Sequence, residues 1–165
     1  MEVIIKGTPL KISKKLVREA IYFSAGHLMS RRMVDTLQLH INFLDKTKMD
    51  DLANTDGTFD DDYPTPRMFD MDILNNMGRS KTLLTLGHEM VHVKQFATGE
   101  MHEYSRPMGK VRYRGKIYDD CAADFAKWTN EYFDYLDKPW EIEAYGREYA
   151  LYTRFLHHRR QKGKA

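Results

Sequence analysis

The stretch from Ser80 to Thr98 limits what this chain can fold into more than any other. Its apolar residues Leu83, Leu84, Leu86, Met90, Val91, Val93, Phe96 and Ala97 recur at helical spacing yet spread around several sides of the helix. Gly99 is well placed to stop it. A helix apolar over so much of its circumference is expected to be buried. Apart from Lys81 and threonines, the only strongly polar residues between Ser80 and Lys94 are His88, Glu89 and His92. Placing two imidazoles and a carboxylate in such a helix costs several kcal/mol unless they satisfy one another or bind an ion.

The remainder of the chain is expected to supply that burial within one domain spanning residues 1–165. Hydrophobic residues make up 42% and aromatics 12%, enough for a sizeable core. No apolar run approaches the roughly 18 residues of a membrane span, and Met1–Lys6 is too short and wrongly flanked for a secretory signal. A lone cysteine, Cys121, makes neither an internal disulfide nor a multi-cysteine zinc site. A reducing, cytoplasmic setting is therefore expected, and any metal must rely on histidine and carboxylate. A net charge of +2 is too small to steer the whole chain onto nucleic acid or anionic lipid.

Ser13 reads as the N-cap of an amphipathic helix carrying Leu16, Val17, Ala20, Ile21, Phe23 and Leu28. Leu37, Leu39, Ile41 and Phe43 alternate with polar residues, the clearest strand signal present. Residues 45–66 read as an acidic loop. A calcium loop fails there because placing Gly57 sixth puts Leu52 first and Tyr63 twelfth, and neither is a ligand of the required type. Phe69, Met71 and Ile73 mark a second short strand. Val111 to Tyr118 reads as a hairpin turning at Gly115, Cys121 to Leu136 as a helix, and Pro139 opens a last helix running to about His157. The order helix, strand, strand, helix, hairpin, helix, helix implies an α+β fold with a small mixed or antiparallel sheet, not alternating β-α-β units.

His88-Glu89-Met90-Val91-His92 forms an H-E-x-x-H motif. Residues four apart lie one above the other on a helix, so both imidazoles reach one point at the roughly 2.0–2.1 Å of Zn–N bonds. Glu89, turned about 100° from His88, reaches a metal-activated water instead of the metal and acts as general base. With seven histidines in 165 residues, chance yields the string about 0.016 times. A third ligand must come from elsewhere. A histidine six residues after His92 is absent, since Thr98 stands there, and His102 falls beyond the helix stop. His27 and His40 read as helix and strand-face residues, and His157 and His158 as part of a basic tail. The segment Pro139-Trp140-Glu141-Ile142-Glu143-Ala144-Tyr145 offers Glu141 and Glu143. Two residues apart, they do not share a helix face, so only one should bind.

These residues resemble the zincin metallopeptidases, in particular the gluzincin arrangement, whose third ligand is a glutamate from a helix downstream of H-E-x-x-H. The resemblance points to Glu141, with Ala144 as the small residue three later, and leaves Glu143 as the alternative. Tyr145 stands where the family often has an aspartate that orients a ligand histidine. Together with the Arg114-Gly115-Lys116 hairpin, residues 80–158 resemble metallopeptidases encoded by bacteriophages and, loosely, SprT-like proteins. The resemblance implies one Zn2+ held by His88, His92 and Glu141, a peptide or protein substrate, and the host cytoplasm as setting if the chain is phage-encoded. It also implies that Phe69–Ile73 is the sheet edge, binding an extended peptide by strand addition. Tyr113, Tyr118, Tyr145 or Arg114 would stabilise the oxyanion. Rival readings are a metal-binding but inactive zincin-like assembly or host-interaction protein, and nucleic-acid association through the basic tail at about 159–165.

Overall fold

Strand β1 (Glu2–Lys6), helix α1 (Lys14–Leu28), the single turn α2 (Arg31–Val34) and strand β2 (Gln38–Leu44) open the chain. This is a computed structural model, and it describes residues 1–48, 53–58, 62–104, 110–119 and 134–163. The Ser13 side chain accepts a hydrogen bond from the Leu16 N–H and caps α1 as expected. β1 pairs parallel with β2, from Glu2 opposite Gln38 to Lys6 opposite Asn42. The first 44 residues therefore form a β-α-β unit, which corrects the expected absence of one. β1 escapes notice because its three consecutive apolar residues, Val3, Ile4 and Ile5, carry no alternation, and only Val3 is fully buried.

Strands β3 (Ala53–Thr58) and β4 (Met68–Leu74) complete a four-stranded mixed sheet in the order β1-β2-β4-β3. β4 is parallel to β2 and antiparallel to β3. The fold is α+β, with corrections to two local expectations. The segment expected as loop contains β3, whose sequence Ala-Asn-Thr-Asp-Gly-Thr has little strand preference and is extended because β4 supplies its ladder partners. In consequence Phe69–Ile73 lies in the sheet interior, and β3 is the outer strand.

The alternation in β2 and β4 sends Leu39, Ile41, Phe43, Phe69, Met71 and Ile73 to one buried face. They join Val17 and Ile21 of α1 and Leu86 and Met90 of helix α3 (Arg79–Ala97) in one core. The other face is wet and polar, with His40 3.3 Å from Asp70 and Asn42 donating to Asp72 at 2.8 Å. α3 is buried from Thr82 to Ala97 over most of its circumference and ends before Gly99, which adopts φ +74°.

Strands β5 (Met101–Glu103), β6 (Lys110–Tyr113) and β7 (Lys116–Asp119) form a second, antiparallel sheet. Its hairpin turns on Arg114 and Gly115, at φ +47° and +83°, the pair of left-handed residues a two-residue turn requires. The helix expected over Cys121–Leu136 lies outside the described residues except for its last three, which are helical. The final helix, α4 (Pro139–Gln161), runs a turn beyond the expected end. It lies close along α3: a Cβ built on Gly87 would sit 3.5 Å from the Glu148 carbonyl oxygen. Among the described residues no helix is long and apolar enough to cross a membrane.

Candidate metal centre

His88 and His92 project from successive turns of α3, and Glu141 from the first turn of α4. Their side chains meet. The two Nε2 atoms are 3.1 Å apart, His88 Nε2 lies 3.3 Å from Glu141 Oε2, and His92 Nε2 lies 3.3 Å from Glu141 Oε1. One ligand atom from each residue lies within 4.8 Å of the other two, and no other such group of histidines, cysteines and carboxylates occurs among the described residues. Two ligands bound tetrahedrally at 2.0–2.1 Å are about 3.3 Å from each other, so these edges already match those around a zinc ion.

The outer contacts decide what the cluster lacks. His88 Nδ1 lies 3.2 Å from Glu148 Oε2, and His92 Nδ1 lies 2.9 Å from Gln95 Oε1. Both partners are acceptors, so each ring donates from Nδ1 to its partner and turns its Nε2 toward the other ring and toward Glu141. Gln95 has this orientation because its amide nitrogen donates to the Trp140 carbonyl and to Glu143. Glu141 is 1% exposed, and its Oε2 is buried without a hydrogen bond of good geometry. Two imidazole nitrogens converging on a buried carboxylate oxygen that lacks a hydrogen bond form a group that could hold a cation in place of the ring protons. The donor set, two imidazoles and one carboxylate, fits a divalent transition metal.

Electrostatics agree. Burial works to lower the pKa of His88, but Glu141 and Glu148 outweigh it and push the imidazole up to about 9. Burial works to raise Glu141, yet His88, His92 and Tyr135 hold it below the usual carboxylate range. The site favours positive charge on its nitrogens and negative charge on its oxygens. Glu89, on the same turn as His88 but pointing elsewhere, is 5% exposed and accepts a 2.8 Å hydrogen bond from Thr55 of β3. Burial raises its pKa, opposed by the neighbouring histidines and Thr55. A carboxylate moved upward in this way is a better proton acceptor near neutral pH.

Glu143 faces away from this cluster. It accepts hydrogen bonds from Tyr113 (2.7 Å), Lys94 (3.1 Å), Gln95 (3.3 Å) and Arg114 (3.1 Å), and pairs with Arg147 at 2.9 Å. Tyr113 and Arg114, expected near an oxyanion, are thus committed to Glu143, and Arg114 also pairs with Glu100. Tyr118 packs edge-on against Trp140. Tyr145 stacks edge-on against His88 at 4.5 Å, while the orienting contact to that ring comes from Glu148. The phenol at the cluster is Tyr135, whose hydroxyl donates to Glu141 Oε1 at 2.6 Å. His102 sits in β5, His40 on the wet face of the sheet, His27 in the last turn of α1, and His157 and His158 near the end of α4.

Sequence reasoning misses Thr55, Gln95, Tyr135 and Glu148. Two of them carry a usable signal. Glu148 lies seven residues after Glu141, on the same face of α4, and Gln95 three after His92, on the same face of α3. Thr55 and Tyr135 arrive from other elements and carry none. No protein-family model, curated protein or solved structure matches the chain.

Proposed function

We propose that this protein is a zinc-dependent metallopeptidase of the zincin type. The observation that carries the reading is the closed triangle of His88, His92 and Glu141 with the buried carboxylate of Glu89 beside it. A purely structural ion has no use for that neighbour. His88, His92 and Glu141 would hold the metal, which when bound polarises a carbonyl and lowers the pKa of water to about 7.

The chain's own groups supply the rest. Glu89 accepts the proton of the attacking water and delivers it to the leaving amine. Thr55 keeps one oxygen of Glu89 engaged, so that the other is aimed. Tyr135 retains its proton, because burial and the nearby Glu141 raise its pKa, and its hydroxyl donates a hydrogen bond to Glu141 Oε1, holding the carboxylate in place. Strand β3 carries Thr55 to the site and is outermost in the sheet, so an extended peptide adding to it would lie alongside Glu89.

The test is hydrolysis of a fluorescently labelled unfolded polypeptide by zinc-loaded protein. Glu89→Gln should retain stoichiometric zinc and lose activity by at least about a hundredfold, whereas His92→Ala should lose both. Equal cleavage by Glu89→Gln, or none by the zinc-loaded parent, overturns the proposal.

A further inference from the structure

Toward the far end of α4, roughly 27 Å along the helix from Glu141, a cavity of about 610 Å³ opens between α4 and α1. A second hollow of about 500 Å³ adjoins it and shares Lys15, Glu19 and Arg159. Six cations line the two: Lys11, Lys15, Arg18, Arg79, Arg159 and Lys162. Glu19 is the single acid in either lining, and Arg159 already pairs with it. In a chain with 26 basic and 24 acidic residues, this is a strong local excess of positive charge. The Nε of Arg159 is buried there without a hydrogen-bond partner in the described structure.

The basic run at 159–165 is in part built into this wall. Arg159 continues α4 and is half-buried because Glu19 and the ring of Phe155 anchor it. Aromatic rings form the floor. Phe23 lies 5.5 Å from Phe155, 4.0 Å from His27 and 5.1 Å from His158, centroid to centroid. Tyr22, 45% exposed, stands beside them.

Cations spread over two adjoining hollows fit a repeating anion better than a single one. An aromatic floor beneath a cationic rim fits flat bases joined by phosphates. A concave pocket admits a base only when that base is free of a duplex stack. We propose that the α1–α4 groove binds single-stranded nucleic acid, with phosphates on the Lys15, Arg18 and Lys162 rim and a base against Tyr22 and Phe23. The proposal stands independently of the metal centre.

Fluorescence anisotropy on the full chain, with a labelled twelve-nucleotide oligothymidylate, tests it. Binding should weaken with salt at a log–log slope of about −2 to −4, since each phosphate contact contributes about −0.7. The double variant Lys15→Glu/Lys162→Glu changes two exposed side chains. It should fold, lose at least tenfold in affinity and show a shallower slope. Tyr22→Ala should weaken oligothymidylate without changing affinity for inorganic polyphosphate. Absence of binding by the parent, undiminished affinity in the folded double variant, or equal or tighter binding of a duplex or of polyphosphate overturns the proposal.

Discussion

Glu141 and Glu143 sit two residues apart on one helix and meet opposite environments. Glu143 lies in a ring of donors, Lys94, Gln95, Tyr113, Arg114 and Arg147, and is satisfied without any ligand. Burial would raise its pKa, but Tyr113, Lys94 and Gln95 prevail and hold it down at about 2. Glu141 lies against two imidazole nitrogens, with one donor, Tyr135, on Oε1 and none of good geometry on Oε2. One carboxylate closes a structural network that fastens the β5-β6-β7 sheet and α4 to α3. The other leaves its charge for an ion. The difference shows that the groups around a buried carboxylate, not burial itself, decide whether it is free to take a ligand.

Metal affinity breaks this comparison most sharply. Glu141→Ala should weaken zinc binding by about a hundredfold or more, and Glu143→Ala by less than about tenfold, measured by competition with a chromophoric chelator. The reverse order would make Glu143 the ligand. Stability should invert the ranking. In metal-free protein, Glu143→Ala should cost about 2 kcal/mol by urea denaturation, because it strips partners from a nearly buried Lys94 that keeps Glu100. Glu141→Ala in the same state should cost less, about 1 kcal/mol, since only Tyr135 and the imidazoles of His88 and His92 lose a partner. Of smaller size, Glu148→Ala should reduce zinc affinity by about tenfold through loss of ring orientation at His88, with the fold unchanged by circular dichroism. Unchanged affinity would show that Glu148 does not orient that ring.

The pH axis separates the two regions more finely. Glu143 is depressed from 4.5, so its contribution is present above about pH 4.5 and is lost as pH falls toward 2. His88 is raised from 6.5, so its contribution in metal-free protein is present below about pH 6.5 and is lost as pH rises through 9. Zinc displaces that proton, and the alkaline loss should vanish in loaded protein while the acid loss remains. Denaturation midpoints across pH 2–10, with and without zinc, check both. An alkaline limb unaffected by zinc would detach His88 from the metal site.

Much of the fold follows from residues read in order. The alternation at Leu37–Phe43 and Phe69–Ile73, the Ser13 cap, the stop at Gly99 and the turn at Gly115 are local events, and each is where local chemistry puts it. β1 and β3 are not legible in this way. Val3-Ile4-Ile5 has no period, and Asn54, Asp56 and Gly57 argue against a strand that exists only because β4 pairs with it. Within the site, the His88–His92 pair is legible because helical geometry places residues four apart together, and Glu141 emerges through resemblance to a family pattern. Gln95 and Glu148 are half-legible, on helix faces already identified, whereas Thr55 and Tyr135 reach the site from elements whose positions no local spacing predicts.

By itself, then, the amino-acid order determined a buried helix presenting two imidazoles on one side and a carboxylate beside them, because 3.6 residues per turn is a property of the backbone. Only the tertiary structure decided which glutamate stands against the two imidazoles, what turns the rings, and which strand borders them. Those choices depend on how α4 is rotated against α3, set by packing along the whole contact, and a ligand must arrive within a few tenths of an ångström. No spacing between residues far apart in the chain carries that precision.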